Sequence, residues 1–309
     1  MRGQMLAAAA ALAFGLAQSP ALQTPALAAS FDEQFPAERF EWREGLDPEL
    51  TQFLETLDYK HGEIVLPQAE ATLDVPADFY FLDAADARKV VEDAWGNPPD
   101  PSIIGMIFPA DLTAFHEANW GAIITYEAIG YVSDEEAEGY DYDELLSVMQ
   151  EDTEVANAER ARLGYESVSL LGWAASPRYD KASRKLYWAK ELNFGGADFN
   201  TLNYDIRALG RRGVLVTQFV AEMGQLPEIE AAIPSVLAMS RFNDGATYDD
   251  FDPGVDTVAA VGIGGLIAGK VLSKAGFFAL ALVFLKKFWF LALLPFVWLG
   301  RALFGRKGG

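Results

Sequence analysis

The sequence contains no cysteine and only two histidines in 309 residues. The first absence excludes a disulfide framework, thiolate metal sites and a thiol nucleophile. The second leaves His61 and His116 as the sole imidazoles, neither in an H-E-x-x-H pattern, so each reads as a solvated loop histidine rather than a zinc ligand or general base. No serine lies in G-x-S-x-G, which removes the strained elbow of acyl-transfer hydrolases. Internal repeats with a period of about 20 to 50 residues are also missing, and a solenoid with them. No catalytic residue, metal ligand or cofactor is expected from this inventory.

Base is scarce in the middle of the chain and acid is scarce at both ends. The net charge is −21, but residues 1–29 hold one base and no acid, and residues 257–309 hold seven bases and no acid. Between them, residues 30–256 carry all 45 acids against the remaining 16 of 24 bases, a formal charge of −29. Such a field repels nucleic acid and anionic head groups, so no nucleic-acid partner is expected.

The two ends read as targeting and mooring. Arg2, an apolar stretch over 6–17 and an A-x-A site at Ala26, Leu27 and Ala28 predict an export signal over 1–28. At the other end, FFALALVFLKKFWFLALLPFVWL (277–299) is long enough to cross a bilayer but carries Lys286 and Lys287 in its middle. A single late span over 275–299 buries both lysines at about 2.5 to 3.5 kcal/mol each. The favoured layout instead starts the span near Thr257, so that Lys286, Lys287, Arg301, Arg306 and Lys307 emerge on the cytoplasmic side. It leaves Lys270 and Lys274 to snorkel or face a partner helix, with Gly262, Gly265 and Gly269 as a small-residue surface. A two-span hairpin is the third layout. The partition is then a signal at 1–28, an extracytoplasmic domain at 30–255, and a C-terminal transmembrane anchor at 256–309.

Within the domain the periodicity predicts α+β, mainly antiparallel sheet with packed helices. Residues 30–45 read as an irregular arm. DPELTQFLETLDYKHG reads as a helix capped by Asp47, with Leu50, Phe53, Leu54 and Leu57 inward. GEIVLP and ATLDVP read as strands, and DAADARKVVEDAWG as a helix capped by Asp83 with Val90, Val91 and Trp95 inward. IIGMIFP and WGAIITYEAIGYV are further strands. An acidic run leads into a long helix whose inner face is expected at Leu145, Met149, Ala156 and Leu163. VSLLGWAA, KLYWAKEL, TLNYDIRAL and VLVTQFVAEM follow, joined by short turns that favour antiparallel neighbours. LPEIEAAIPSVLAMSRF closes the domain as a helix interrupted at Pro234, and NDGATYDDFDPGVD reads as an acidic linker.

GWAASPRYDKASRKLYWAKEL, NYDIRALGRRGVLV, LPEIEAAIPSVL and the acidic linker followed by an AGK-rich tail resemble the DUF2167 family, membrane-anchored bacterial proteins of unknown function. The resemblance runs from about residue 60 to the C-terminus. It implies an exported domain on a C-terminal anchor, and no activity or site residue comes with it.

Candidate site residues are few. Arg207, Arg211 and Arg212 form the most basic spot in an acidic domain and can grip carboxylate or phosphate bidentately, which makes them the predicted partner contact. The plainer reading is a GRRG hairpin tip whose arginines pair with neighbouring acids. Asp134, Glu135, Glu136, Glu138, Asp141, Asp143 and Glu144 lack EF-hand order and read as a solvated loop feeding a helix N-terminus. Glu127 and Glu191 are the pair for a glycosidase reading. Trp173, Tyr187, Trp188 and Tyr204 read as sheet core before ligand platform. The functional expectation is a binding or assembly module of the cell envelope, held on the cytoplasmic membrane and facing an envelope protein partner. The alternatives are a tethered carboxylate-dependent hydrolase of envelope glycans and an accessory subunit of a transport complex.

Overall fold

The computed structural model describes residues 26–268, with Glu117, Glu136, Glu138 and Gly139 excepted. Its frame is one 11-stranded sheet. In chain order the strands are β1 (Leu27–Ala29), β2 (Tyr59–Leu66), β3 (Ala71–Val75), β4 (Phe79–Asp83), β5 (Ile103–Pro109), β6 (Gly121–Glu127), β7 (Val168–Asp180), β8 (Lys185–Phe194), β9 (Thr201–Leu209), β10 (Val214–Glu222) and β11 (Ser240–Phe242). In space they run β11-β3-β2-β4-β5-β6-β10-β9-β8-β7, with β1 beside β2. Every pairing is antiparallel, as the short connections require. The architecture is α+β. Gly62, at φ 80°, marks the bend where β2 leaves β1 and β4 to pair with β3.

Alternation along the strands gives the sheet two different faces. On one, Trp120 just before β6, Ala122 and Ile124 of β6, Phe219 of β10, Tyr204 and Ile206 of β9, and Tyr187 of β8 form a core closed by a helix, α5 (Leu226–Met239), through Ile229, Ile233, Val236 and Met239. Their spacings of four, three and three residues are those of a single helical stripe. Across the opposite face the apolar cover is divided in two. Over β4 and β5 sits an aromatic cluster that includes Phe31, Phe35, Tyr59, Tyr80 and Phe108, supplied in part by α1 (Phe31–Gln34), α2 (Pro48–Leu54) and α3 (Ala84–Arg88). Over β7 to β10 sits a second cluster under α4 (Tyr142–Leu163) and the last described residues. The gap between the two clusters is where the candidate site lies.

Several elements depart from expectation. Residues 30–45 are no irregular arm: Ser30 caps α1, and Phe31, Phe35 and Phe40 are buried. The strand β4 was not expected. Asp83 caps α3 as predicted, its carboxylate accepting from the amides of Ala85 and Asp86, but the following Lys89–Ala94 is a π-helix. In α4, Leu145 and Met149 reach the core, whereas Ala156 is exposed and Leu163 is 52 % exposed. The helix outruns the sheet beneath it. Its second half instead bonds the edge strand β7, Asn157 exchanging two hydrogen bonds with the Val168 backbone at 2.8 and 2.9 Å.

The largest difference lies around the expected linker. The supposed linker is packed: Tyr248 is buried, the Arg211 amide donates to the Ala246 carbonyl at 3.0 Å, and Gly210 bridges Thr247. Beyond it, Tyr131 and the 257–259 segment exchange two backbone bonds of 2.8 Å. Val261, Ile263, Leu266 and Ile267, the last three on α6 (Ile263–Ile267), are buried in the same cluster as Met149. From Val261 to Ile267 the expected start of the span is thus packed against the domain, while Val258 is 57 % exposed and Ala260 exposed. Gly264, not Gly262, makes the tight contact, under the Tyr140 ring. Among the described residues no helix is long and apolar enough to cross a membrane. The rest of the expected anchor, including Lys270, Lys274, Lys286 and Lys287, and most of the expected signal segment lie outside the described residues.

Candidate functional site

Between the two apolar clusters the sheet is uncovered and polar. Residues 123, 125 and 127 of β6, 216, 218 and 220 of β10, and 203, 205 and 207 of β9 point the same way and floor a cleft of about 900 Å³. One wall comes from Trp95 and Pro98, just past the π-helix. The other comes from Phe194 and Phe199, where β8 turns towards β9. Phe199 is 64 % exposed. Asp100, Glu166 and Glu222 also line it.

The floor holds a charge network that its strands dictate. Arg207 reaches across β10 so that its Nη1 donates to Glu127 Oε1 on β6, with the guanidinium 5.3 Å from the Trp188 ring. Asp205 accepts from Gln218 Nε2 at 3.0 Å through Oδ1, and its Oδ2 lies 3.1 Å from Lys190 Nζ on β8. That last contact is an ion pair without hydrogen-bond geometry. Asp205 is 2 % and Arg207 8 % exposed, so the network is nearly dry. It is also incomplete. Glu127 Oε2, Asn203 Oδ1, Asp205 Oδ2, Arg207 Nε and Trp188 Nε1 are buried without a hydrogen bond, five of the seven such side-chain atoms among the described residues. Buried polar groups are almost always satisfied, so their concentration in one place marks it as more than a stretch of sheet.

The three arginines predicted as one contact do not form one. Arg207 lies in the cleft floor. Arg211 and Arg212 occupy the hairpin tip beyond β9, where Arg211 Nε holds Asp256 Oδ2 at 2.7 Å and donates from Nη1 to the Gly245 carbonyl at 3.0 Å. Arg212 Nη1 grips both Glu70 oxygens at 2.7 and 2.9 Å. The hydrogen bond from Arg211 holds the Asp256 carboxyl below the usual carboxylate range. These two side chains tie the turn after β2 and the C-terminal segment to the hairpin.

Glu127 and Glu191 do not meet either. Glu127 faces the cleft, while Glu191 pairs with Leu202 on the α5 face and accepts from Asn200 Nδ2 at 2.7 Å. Separated by the sheet, they cannot flank one glycosidic bond. Trp173 and Trp188 sit on the cleft side, Tyr187 and Tyr204 on the other, so no four-membered platform exists. His61 Nε2 lies 2.7 Å from Gln34 Oε1, and desolvation lowers its pKa. His116 Nδ1 accepts from the Ala118 amide at 3.1 Å. Within the acidic run, Asp134 accepts from Tyr179 Oη at 2.8 Å and Arg184 Nη1 at 2.7 Å, and Asp141 caps α4; no metal-holding cluster occurs among the described residues. Lys190, Asn203, Asp205 and Gln218 were missed by the sequence reading. Their signal was the alternation Asn203, Asp205, Arg207 between Leu202, Tyr204 and Ile206, which also describes an ordinary solvated face.

A family profile described as "Protein of unknown function (DUF2167)" matches residues 58–297. The chain belongs to the DUF2167 family. The DUF2167 segment starts at the threshold of β2 and so contains every strand of the cleft floor, together with the Arg211 and Arg212 clamp, but not β1, α1 or α2. No curated protein matches the chain. Among solved structures, the solution structure of cyanobacterial PsbP (CyanoP) from Synechocystis sp. PCC 6803 is similar at a TM-score of 0.34 and 9 % identity, over 58 % of this chain and 91 % of that one. A likeness that loose carries no argument about the DUF2167 cleft.

Proposed function

We propose that this DUF2167 chain is a tethered binding module of the bacterial envelope: an extracytoplasmic domain held on the cytoplasmic membrane by its basic apolar tail, taking a small polar ligand in the cleft. The placement is supported by the A-x-A leader and by the charge partition, with seven bases and no acid after residue 256. The binding reading is carried by one observation, the incomplete polar network at the floor of a cleft of about 900 Å³. Pockets of this size with a few convergent polar groups and apolar walls are where small ligands bind. The floor's acids are tied to Arg207, Lys190 and Gln218, an arrangement that fixes orientation rather than passing protons.

Two measurements test it. Protease added to intact spheroplasts digests the segment between residues 30 and 268; survival of that segment overturns the placement. Hydrogen exchange on the full chain in mild detergent, with and without a small-molecule extract of the envelope, shows protection in β6, β9 and β10. Val220→Trp, which fills the cleft, abolishes that protection. Protection elsewhere, or none, overturns the binding reading.

A further inference from the structure

We infer that the ligand of this cleft carries a primary ammonium group, an inference that rests on the cleft being a binding site. The first argument is charge. Five carboxylates line the cleft, those of Asp100, Glu127, Glu166, Asp205 and Glu222, against the one guanidinium of Arg207 and no lysine. Glu127 is matched by Arg207, and Asp205 by Lys190 from beside the cleft. Asp100, Glu166 and Glu222 have no cationic side chain in salt-bridge contact among the described residues. An entering phosphate or carboxylate meets like charge, whereas a cation is drawn in.

The second argument is hydrogen-bond polarity. Of the four lining atoms left without a hydrogen bond, Glu127 Oε2, Asn203 Oδ1 and Asp205 Oδ2 are acceptors and only Arg207 Nε is a donor. The floor therefore calls for donors, and an ammonium group supplies three and accepts none. Glu127 is the most open member, its side chain keeping 23 % of its surface against 3 % for Asp205 and 10 % for Arg207, but its Oε2 is covered and meets an ammonium group only if the side chain shifts. The third argument is the walls. Trp95, Phe194 and Phe199 present aromatic surface to the same space, and aromatic faces attract ammonium cations while offering nothing comparable to a hydroxyl. A diamine and an amino sugar share this chemistry, and the test separates them.

Titration calorimetry on the full chain in neutral detergent compares putrescine with 1,4-butanediol, and glucosamine with glucose and N-acetylglucosamine. Binding by an ammonium member at least about tenfold tighter than by its uncharged partner, weakened by added salt, is the expected result. Putrescine alone binding identifies the diamine class, and glucosamine alone the amino-sugar class. Glu166→Gln combined with Glu222→Gln, both at the rim and away from the buried network, is expected to weaken binding about tenfold with an unchanged melting temperature. Equal binding of charged and uncharged partners overturns the ammonium inference and leaves the cleft as a binding site. Failure of every probe to bind also overturns it. Ammonium binding untouched by Val220→Trp lies outside the cleft and overturns both readings.

Discussion

At Gly213 one added carbon is too many. A Cβ there would lie 2.3 Å from the Glu127 carbonyl oxygen and 2.6 Å from the Tyr126 hydroxyl. The backbone cannot retreat, because the next residue is already paired with Glu127 across β10 and β6. Gly164, at φ 83°, has open space around it, so alanine there meets only the left-handed backbone penalty. Gly213→Ala is expected to cost more than about 2 kcal/mol and Gly164→Ala about 1 kcal/mol, ordered by their urea midpoints. Equal losses would mean that the hairpin shifts freely. Asp134 gives a second test at this scale. Desolvation pushes its carboxyl up, but the Tyr179 and Tyr248 hydroxyls and Arg184 outweigh that and hold it below its ordinary value. The fold thus favours the charged form. Its contribution is complete above the ordinary carboxylate value of about 4 and is lost as pH falls through the lower folded value. The stability gap between the native chain and Asp134→Asn should therefore narrow between pH 7 and pH 3 in urea titrations; a constant gap would show that its charge is irrelevant.

Among the elements, α4 is the one whose role differs most from its pattern. Leu145 and Met149 were legible because a helical stripe is local, but its continuation to Ala156 and Leu163 presumed a sheet long enough to lie beneath. Strand β7 is an edge, and Asn157 caps its start by bonding both backbone groups of Val168, with Gln150 Nε2 reaching the Leu170 carbonyl at 3.1 Å. Exposed edges template unwanted pairing, and polar side chains spanning one suppress it. Asn157→Ala is expected to cost about 1 to 2 kcal/mol and to speed amide exchange at Val168; unchanged exchange would assign the edge to Gln150 alone. The strands β7 to β10 were readable because short turns punctuate them. β4 escaped because its five residues, ending on the Asp83 cap itself, are too few for a period to register. The π-helix escaped because its widened turn, with the Trp95 amide donating to the Val90 carbonyl at 2.9 Å, has no composition of its own. That turn brings Trp95 to the cleft wall. The site was illegible for a related reason: polar alternation in β9 looks the same facing open water or facing a cleft, and only the two flanking apolar clusters decide which.

For the whole molecule the decisive question is where the domain ends. Composition places the boundary at residue 255, next to the last acid, Asp256, and before the apolar residues begin, because a run of valine, isoleucine and glycine looks alike in lipid and in a protein core. In the structure residues 256–268 touch the domain at several points. Asp256 is locked by Arg211, and Val261, Ile263, Leu266 and Ile267 are buried against the α4 cluster. Burying four such side chains contributes on the order of 6 to 12 kcal/mol, as large as the net stability of a typical domain. A chain ending at residue 268 should accordingly unfold in one cooperative transition. One ending at residue 255 should melt far lower, bind a hydrophobic dye and lose protection first in β7 to β10. The pair also tests whether residues 256–268 support the cleft. The Gly130 amide donates to the Arg212 carbonyl at 3.0 Å, and Gly130 packs against the Thr257 carbonyl, so the segment leading to the tail touches the loop that follows Glu127. If the shorter chain kept its melting temperature, residues 256–268 would have no part in holding the cleft floor.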